Sequence, residues 1–174
     1  MMYNISIKKP RGGIGGKSMN SVKVNNELNL TYPDNFKEMS DVELARYFGS
    51  PTNRWGVYDA DKHVILSVGW TKPGFFKSMG DAESAMIGAQ SRLRKNLLNF
   101  QLIGSYKMSL AKKKKVAAIR FEYRVNAKKL VQVADLIIVK HKKKFYSLYY
   151  ITRKANAAEE RQVLREILDS VTLD

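Results

Sequence analysis

The chain has 174 residues, 44% hydrophobic and 27% charged, with no cysteine and 31 Lys+Arg against 16 Asp+Glu, a formal net charge of +15. That length supports one domain with a sizeable core, and the composition excludes a disordered chain. Without cysteine there are no disulfides, thiolate nucleophiles or thiolate metal sites, and His63 and His141 are the only histidines, too few for chemistry that needs several imidazoles.

Residues 3–8 alternate weakly, as a strand does. Residues 10–16 hold four glycines in five positions, which leaves the backbone too free for regular structure. Segments 21–24 and 28–32 read as short strands around an Asn25-Asn26 turn, and Pro33 ends the second. Ser40-Asp41-Val42-Glu43 is a capping-box signature. The helix it opens is expected to run to Phe48 and stop at Gly49, with Pro51 beyond. Residues 54–58 and 63–70 are strand-like around a polar turn at 59–62, and Pro73-Gly74 closes the second.

Asp81 caps a longer helix, in which Ala82, Ala85, Met86, Ala89, Leu93 and Leu97 recur at 3–4 spacing and form one apolar stripe. Residues 100–153 then read as a four-stranded antiparallel meander. In its first strand Phe100, Leu102, Tyr106, Met108 and Leu110 are expected on one face. In its second, Ile119, Phe121, Tyr123 and Val125 oppose Arg120, Glu122 and Arg124. The third, 130–140, is apolar on nearly both faces and is expected to be central with cover above and below. The fourth is 145–152. Asn156 is expected to cap a closing helix with Val163, Leu164, Ile167, Leu168 and Val171 on its apolar face. Leu93, Phe121, Ile137 and Leu164 are expected in the core.

The segment Leu28-Asn-Leu-Thr-Tyr-Pro-Asp-Asn-Phe36, the strand at 64–68, the helix starting near Asp81, the aromatic strand 145–152 and the closing Ile167-Leu-Asp-Ser-Val171 together resemble PsbP-like domains. That family includes the photosystem II extrinsic protein, DcrB-like lipoproteins and a Ran-binding nuclear import factor. The resemblance covers roughly residues 27–173. It implies an α+β fold, an antiparallel sheet with helices on both faces in an α/β/α sandwich, and a non-enzymatic binding role. It transfers no functional residue. Residues 1–26 are expected to form a basic, glycine-containing arm or hairpin and 27–174 the sandwich domain.

Several motifs resolve into plainer readings. Arg11-Gly-Gly-Ile-Gly-Gly-Lys-Ser18 has Arg11 where a phosphate loop needs glycine, and the residues after Ser18 make a poor helix start, so no nucleotide or other cofactor is expected. Asp59 and Asp61 lack a third nearby acid and read as hairpin-turn residues instead of metal ligands. Asp135, inside an apolar strand, must be paired or solvated, by a buried salt bridge or at an edge position. His63 and His141 border charged turns and are expected to be exposed. Tyr146, Tyr149, Tyr150, Trp55 and Trp70 read as packing residues. No acid/base constellation supports an enzyme.

Charge placement carries the functional expectation. Residues 101–155 hold fifteen basic and two acidic residues, whereas 26–100 hold nine of each. Successive turns of a meander alternate between sheet ends. The turns at 112–115 and 141–144 therefore share one end, and Lys128-Lys129 lie at the other. Lys112, Lys113, Lys114, Lys115, Lys140, Lys142, Lys143 and Lys144 are expected to cluster with little acidic compensation and to attract a polyanion. The first reading is docking of an acidic protein partner; nucleic-acid binding is the alternative. No apolar run approaches the roughly 20 residues of a membrane helix, and the N-terminus lacks a signal core; the chain reads as soluble and cytoplasmic.

Overall fold

The computed structural model describes residues 17–71, 80–111, 114–126 and 130–174, with Lys115 described by its backbone. The strand expected at 3–8, the glycine stretch 10–16, the Pro73-Gly74 break, Lys112, Lys113 and the Lys128-Lys129 turn lie outside these residues.

Strand β8 (Leu130–His141) is buried on both faces along most of its length, so the chain must supply two cover layers. It lies inside a seven-stranded sheet with β3 (Lys37–Glu38), β4 (Arg54–Asp59), β5 (Val64–Trp70), β6 (Leu98–Leu110), β7 (Lys114–Val125) and β9 (Lys144–Arg153). The order is β3-β4-β5-β9-β8-β7-β6, and every adjacent pair is antiparallel. The expected meander is present and extends through β9–β5 pairing.

Alternation along β8 divides the core in two. Ala134, Leu136 and Ile138 meet α1 (Asp41–Phe48) and α2 (Ala82–Asn96), in a cluster with Leu44, Ala85, Met86, Ala89 and Phe121. Ile137 and Val139 face the other side, in a cluster with Leu164, Ile167 and Leu168 of α3 (Ala157–Ser170) and with Leu28 and Leu30. The latter two belong to β2 (Leu28–Pro33), which pairs with β1 (Met19–Val24) and β10 (Thr172–Leu173) in a small second sheet. Asn25 and Asn26 have φ of 51° and 56°, left-handed angles that Asn tolerates, and Glu27 N–H donates to Val24 O at 3.1 Å in the turn between paired Val24 and Leu28. Helices thus cover both faces of the sheet, as the α/β/α expectation requires.

Helix α1 starts and stops where its sequence signals stand. Glu43 N–H donates to Ser40 Oγ, and Ser40 N–H donates to Glu43 Oε2 at 2.8 Å. Gly49 ends the helix at φ 82°, a left-handed position that strains any residue with a Cβ.

Several expectations need correction. The strand residues of β6 do not share one face. Register shifts between Leu98 and Gln101 and between Leu102 and Gly104 add residues to β6, and each addition reverses the alternation. Phe100 therefore packs with the α2 cluster, Tyr106, Met108 and Leu110 lie on the α3 side, and Leu102 is exposed. Leu93 is half-buried, whereas Phe121, Ile137 and Leu164 are buried. Arg94, one residue on, lays its guanidinium 5.2 Å from the Phe100 ring, so the end of α2 meets the edge strand instead of the sheet centre. Asn156 stands at the N-terminal boundary of α3 but has helical angles and makes no capping bond; its amide donates to Lys62 O instead. Lys114 and Lys115 belong to β7 and not to the preceding turn.

Ile137, fully buried, and Ile87, 72% exposed, give opposed expectations. Ile137→Ala is expected to lower the unfolding free energy by about 2–5 kcal/mol and Ile87→Ser by less than about 0.5 kcal/mol, both measured by urea denaturation. Ser40→Ala, which removes the cap of α1, is expected to cost about 1 kcal/mol in the same assay.

Candidate functional site

The β8–β9 hairpin turns at Lys142-Lys143, with Lys142 at φ 54°. Its neighbour, the β6–β7 hairpin, closes between Leu110 and Lys114. Both turns stand at one end of the sheet, because Lys114 Nζ donates to Lys140 O at 3.4 Å and lies 2.6 Å from His141 Nδ1. Lys140 Nζ donates to Gly80 O at 2.6 Å and sits 5.7 Å from the Phe145 ring centre. Lys143 is exposed and has no ion pair among the described residues.

The expected lack of acidic compensation does not hold. Glu27, in the β1–β2 hairpin turn, receives Lys144 Nζ at 3.0 Å and Lys142 Nζ at 3.5 Å. It also accepts a short hydrogen bond from the Tyr146 hydroxyl, which itself accepts from Asn25 Nδ2 at 2.9 Å. Burial pushes the Glu27 carboxyl up, but the Tyr146 bond and the two ammonium groups outweigh it and hold the pKa down at about 2. Burial, reinforced by the Glu27 carboxylate, pushes the Tyr146 phenol up. This acid was legible in the sequence only as a turn residue; 117 positions separate it from Lys144.

His141 is also corrected. It is buried, with Nε2 at 2.6 Å from Asp174 O. The Asp174 oxygen accepts and the Lys114 ammonium donates, so these contacts set Nε2 as donor and Nδ1 as acceptor. Asp174 further binds Lys23 at 2.5 Å, and its N–H donates to Glu27 O at 2.9 Å. The end of the sheet is thus a layer of lysines over a set of polar ties, with His141 buried, Glu27 half-buried and Asp174 exposed.

Beside this end lies a cavity of about 330 Å3 lined by Lys23, Asn25, Asn53, Arg54, Trp55 and Trp70 among others. The Arg54 guanidinium lies 4.3 Å from the Phe48 ring centre and 5.8 Å from that of Tyr149, and donates to Ser67 Oγ at 3.0 Å. No carboxylate pairs with it among the described residues, and burial lowers its pKa. A Cβ at Gly69 would come within 2.8 Å of the guanidinium. The glycine therefore makes room for the arginine, and an isolated glycine in an apolar strand was the signal that could have shown it.

The other sequence candidates are structural. Asp135 is paired with Arg120 at 2.9 and 3.1 Å and accepts from the Tyr106 hydroxyl at 3.1 Å. Asp59 accepts from the N–H groups of Asp61 and Lys62, which is turn chemistry. Tyr146, Tyr150 and Trp55 are buried, and Tyr149 packs against Phe48. Sequence reasoning missed Glu160, which is 2% exposed, accepts from Tyr150 and pairs with Lys62. It stands four residues before Leu164, on the apolar face of α3, which is where it could have been seen. Among the described residues no group of three His, Asp or Glu could hold a metal, and no helix is long and apolar enough to cross a membrane.

No family model and no curated protein sequence matches the chain. Solved structures do. LpqN, involved in cell envelope biogenesis of Mycobacterium tuberculosis, is 15% identical with a TM-score of 0.61, over 98% of this chain and 92% of that one. Cyanobacterial PsbP (CyanoP) from Synechocystis sp. PCC 6803 is 14% identical with a TM-score of 0.64, over 95% and 98%. The Ran-binding protein Mog1p of Saccharomyces cerevisiae is 7% identical with a TM-score of 0.59, over 91% and 96%. At these identities the likeness establishes the fold: the chain has the PsbP-like sandwich that its sequence resembles.

Glu27 has a depressed folded-state pKa, so its contribution is complete above its ordinary value of 4.5 and is lost as the pH falls toward about 2. Glu27→Gln is expected to cost about 1–3 kcal/mol at neutral pH, because two lysines lose their counter-charge and Tyr146 its charged acceptor. The stability difference between wild type and variant should shrink steadily as urea unfolding is repeated from pH 5 down to pH 2.

Proposed function

We propose that the chain is a non-enzymatic binding domain that docks an acidic protein partner on the lysine-bearing end of its sheet. The docking surface comprises Lys112, Lys113, Lys114, Lys115, Lys140, Lys142, Lys143 and Lys144. The observation that carries this reading is the meeting of the two hairpins, where Lys114 reaches Lys140 and His141 while Lys143 has no counter-ion among the described residues. Such a density of cations raises the local potential and speeds the encounter with an acidic surface. The nearby titratable groups support binding over catalysis. Glu27, Tyr146 and His141 each hold a structural partner. Mog1p, which shares the fold, is a Ran-binding protein, an instance of this architecture used on a protein partner.

Geometry also selects the variants. Lys142 and Lys144 hold Glu27, so replacing them would test folding together with binding. Lys140 and Lys143 are exposed and free of that tie. Lys140→Glu with Lys143→Glu is expected to leave the urea midpoint nearly unchanged and to weaken partner capture roughly tenfold. The assay is a pull-down with wild type and variant at low and high salt, with and without nuclease. Captured protein that survives nuclease and is lost in the double variant supports the reading. Capture that disappears with nuclease, and weakens steeply with salt, would transfer the surface to nucleic acid. Equal capture by both proteins would make these lysines a solvated surface only.

A further inference from the structure

Strand β6 is the end of the sheet order, and among the described residues it pairs only with β7. Its first part is blunted by two register shifts, which is how edges are protected. From Gly104 to Leu110 the register is unbroken, running opposite Arg120 to Lys114. This leaves a regular seven-residue edge whose outward N–H and C=O groups are a template for another strand. Beside it, between β6 and α3, is a cavity of about 480 Å3 with Ile103, Met108, Leu164 and Leu168 in its walls. Arg161 and Arg165, one helical turn apart, also line it. Both are exposed and form no ion pair among the described residues. Asp169 is the one acidic side chain in the lining among the described residues; Arg120 is already answered by Asp135.

We propose that the 104–110 edge of β6 and the Arg161/Arg165 groove form a second docking site, which takes an extended acidic segment of a partner protein as an added strand. Strand addition gives affinity through backbone hydrogen bonds, and the groove reads every second side chain. Charge selects this occupant over two others. A second copy pairing antiparallel about the middle of the edge would set Lys107 opposite Lys107, and like charges directly across a pair are destabilising. Lys107 is 88% exposed, with Glu83 at 3.4 Å as its exposed neighbour. The chain's own first 16 residues carry Lys8, Lys9 and Arg11 and no acid, so they repel Arg161, Arg165 and Lys107. An acidic strand meets arginines on its α3 face and Lys107 on its α2 face. The edge meets the lysine-bearing end at Leu110, opposite Lys114, but its groove and arginines lie along β6 and α3, and the proposal does not depend on the first reading.

The test uses the full chain and a fluorescein-labelled ten-residue peptide of alternating Glu and Val, read by anisotropy. Three companion peptides carry Lys for Glu, backbone N-methyl groups at odd positions, and N-methyl groups at even positions. The Glu peptide is expected to bind, the Lys peptide not, and one N-methylated isomer to bind while the other fails, because only alternate amides of an added strand face β6. Arg161→Gln with Arg165→Gln is expected to weaken binding about tenfold with an unchanged urea midpoint, and Lys140→Glu with Lys143→Glu to leave it unaltered. Amide exchange at 104–110 should slow on binding. Equal binding of both N-methylated isomers, binding indifferent to the arginines, tighter binding of a single-stranded oligonucleotide to the same groove, or β6 protection that rises with protein concentration without peptide would each overturn the proposal. Loss of peptide binding in the lysine variant alone would place the peptide at the sheet end and overturn this site while leaving the first reading intact.

Discussion

The two-sided burial of β8 is the constraint from which the architecture follows. Ala134, Leu136, Ile137 and Val139 are fully buried, and they alternate between faces. The Leu, Ile and Val side chains each contribute about 1.5–3 kcal/mol when removed from water, so neither face of the sheet can be left open. The chain answers with α1 and α2 on one side, and with α3 and the β1–β2–β10 sheet on the other. Because β8 is flanked by its chain neighbours β7 and β9, the helix-bearing connections come before β6 and after β9 and cover the sheet faces from outside the meander.

Polar groups inside this framework tie the layers together. Glu160 of α3 meets Tyr150 of β9 and Lys62 of the β4–β5 turn. Glu27 of the small sheet meets Tyr146 and Lys144 of β9. Thr31 N–H donates to Ser170 Oγ and joins β2 to α3 within the covering layer. A buried carboxylate without partners is costly, so these contacts restrict how the small sheet and α3 sit on the large one. The apolar cores alone would tolerate more arrangements.

Electrostatics divides the surface along the same lines. At the hairpin end, cations stand over a layer that already consumes Glu27 and Asp174, so the exposed charge that remains, led by Lys143, is what a partner would meet. At β6 the excess comes from α3 and the strand itself, through Arg161, Arg165 and Lys107. Apart from Asp169, the acidic residues of α3 lie on its other side: Glu159, Glu160 and Glu166 line a separate cavity with Lys17 and Lys62. One helix thus presents opposite charge to its two flanks.

Local rules fixed much of this structure before any folding. Ser40-Asp-Val-Glu43 and Gly49 bound α1, Asn25-Asn26 set a hairpin, period-2 alternation marked β7, and an unbroken apolar run marked β8 as central. These signals depend on backbone preference and short-range bonds, which a sequence carries directly. The meeting of two lysine turns followed from the same logic, since hairpin count fixes sheet ends. Long-range partners were not accessible in this way. Glu27 finds Lys144 across 117 positions, His141 is buried by the Asp174 carbonyl, and Arg54 occupies space that Gly69 leaves. The reversal of faces in β6 depends on register shifts against β7, and Asn156 gave up its cap for Lys62 O. Propensity and spacing determine elements and their order; burial, register and counter-ion choice arise only when distant surfaces are pressed together, and those decide which charges stay available to a partner.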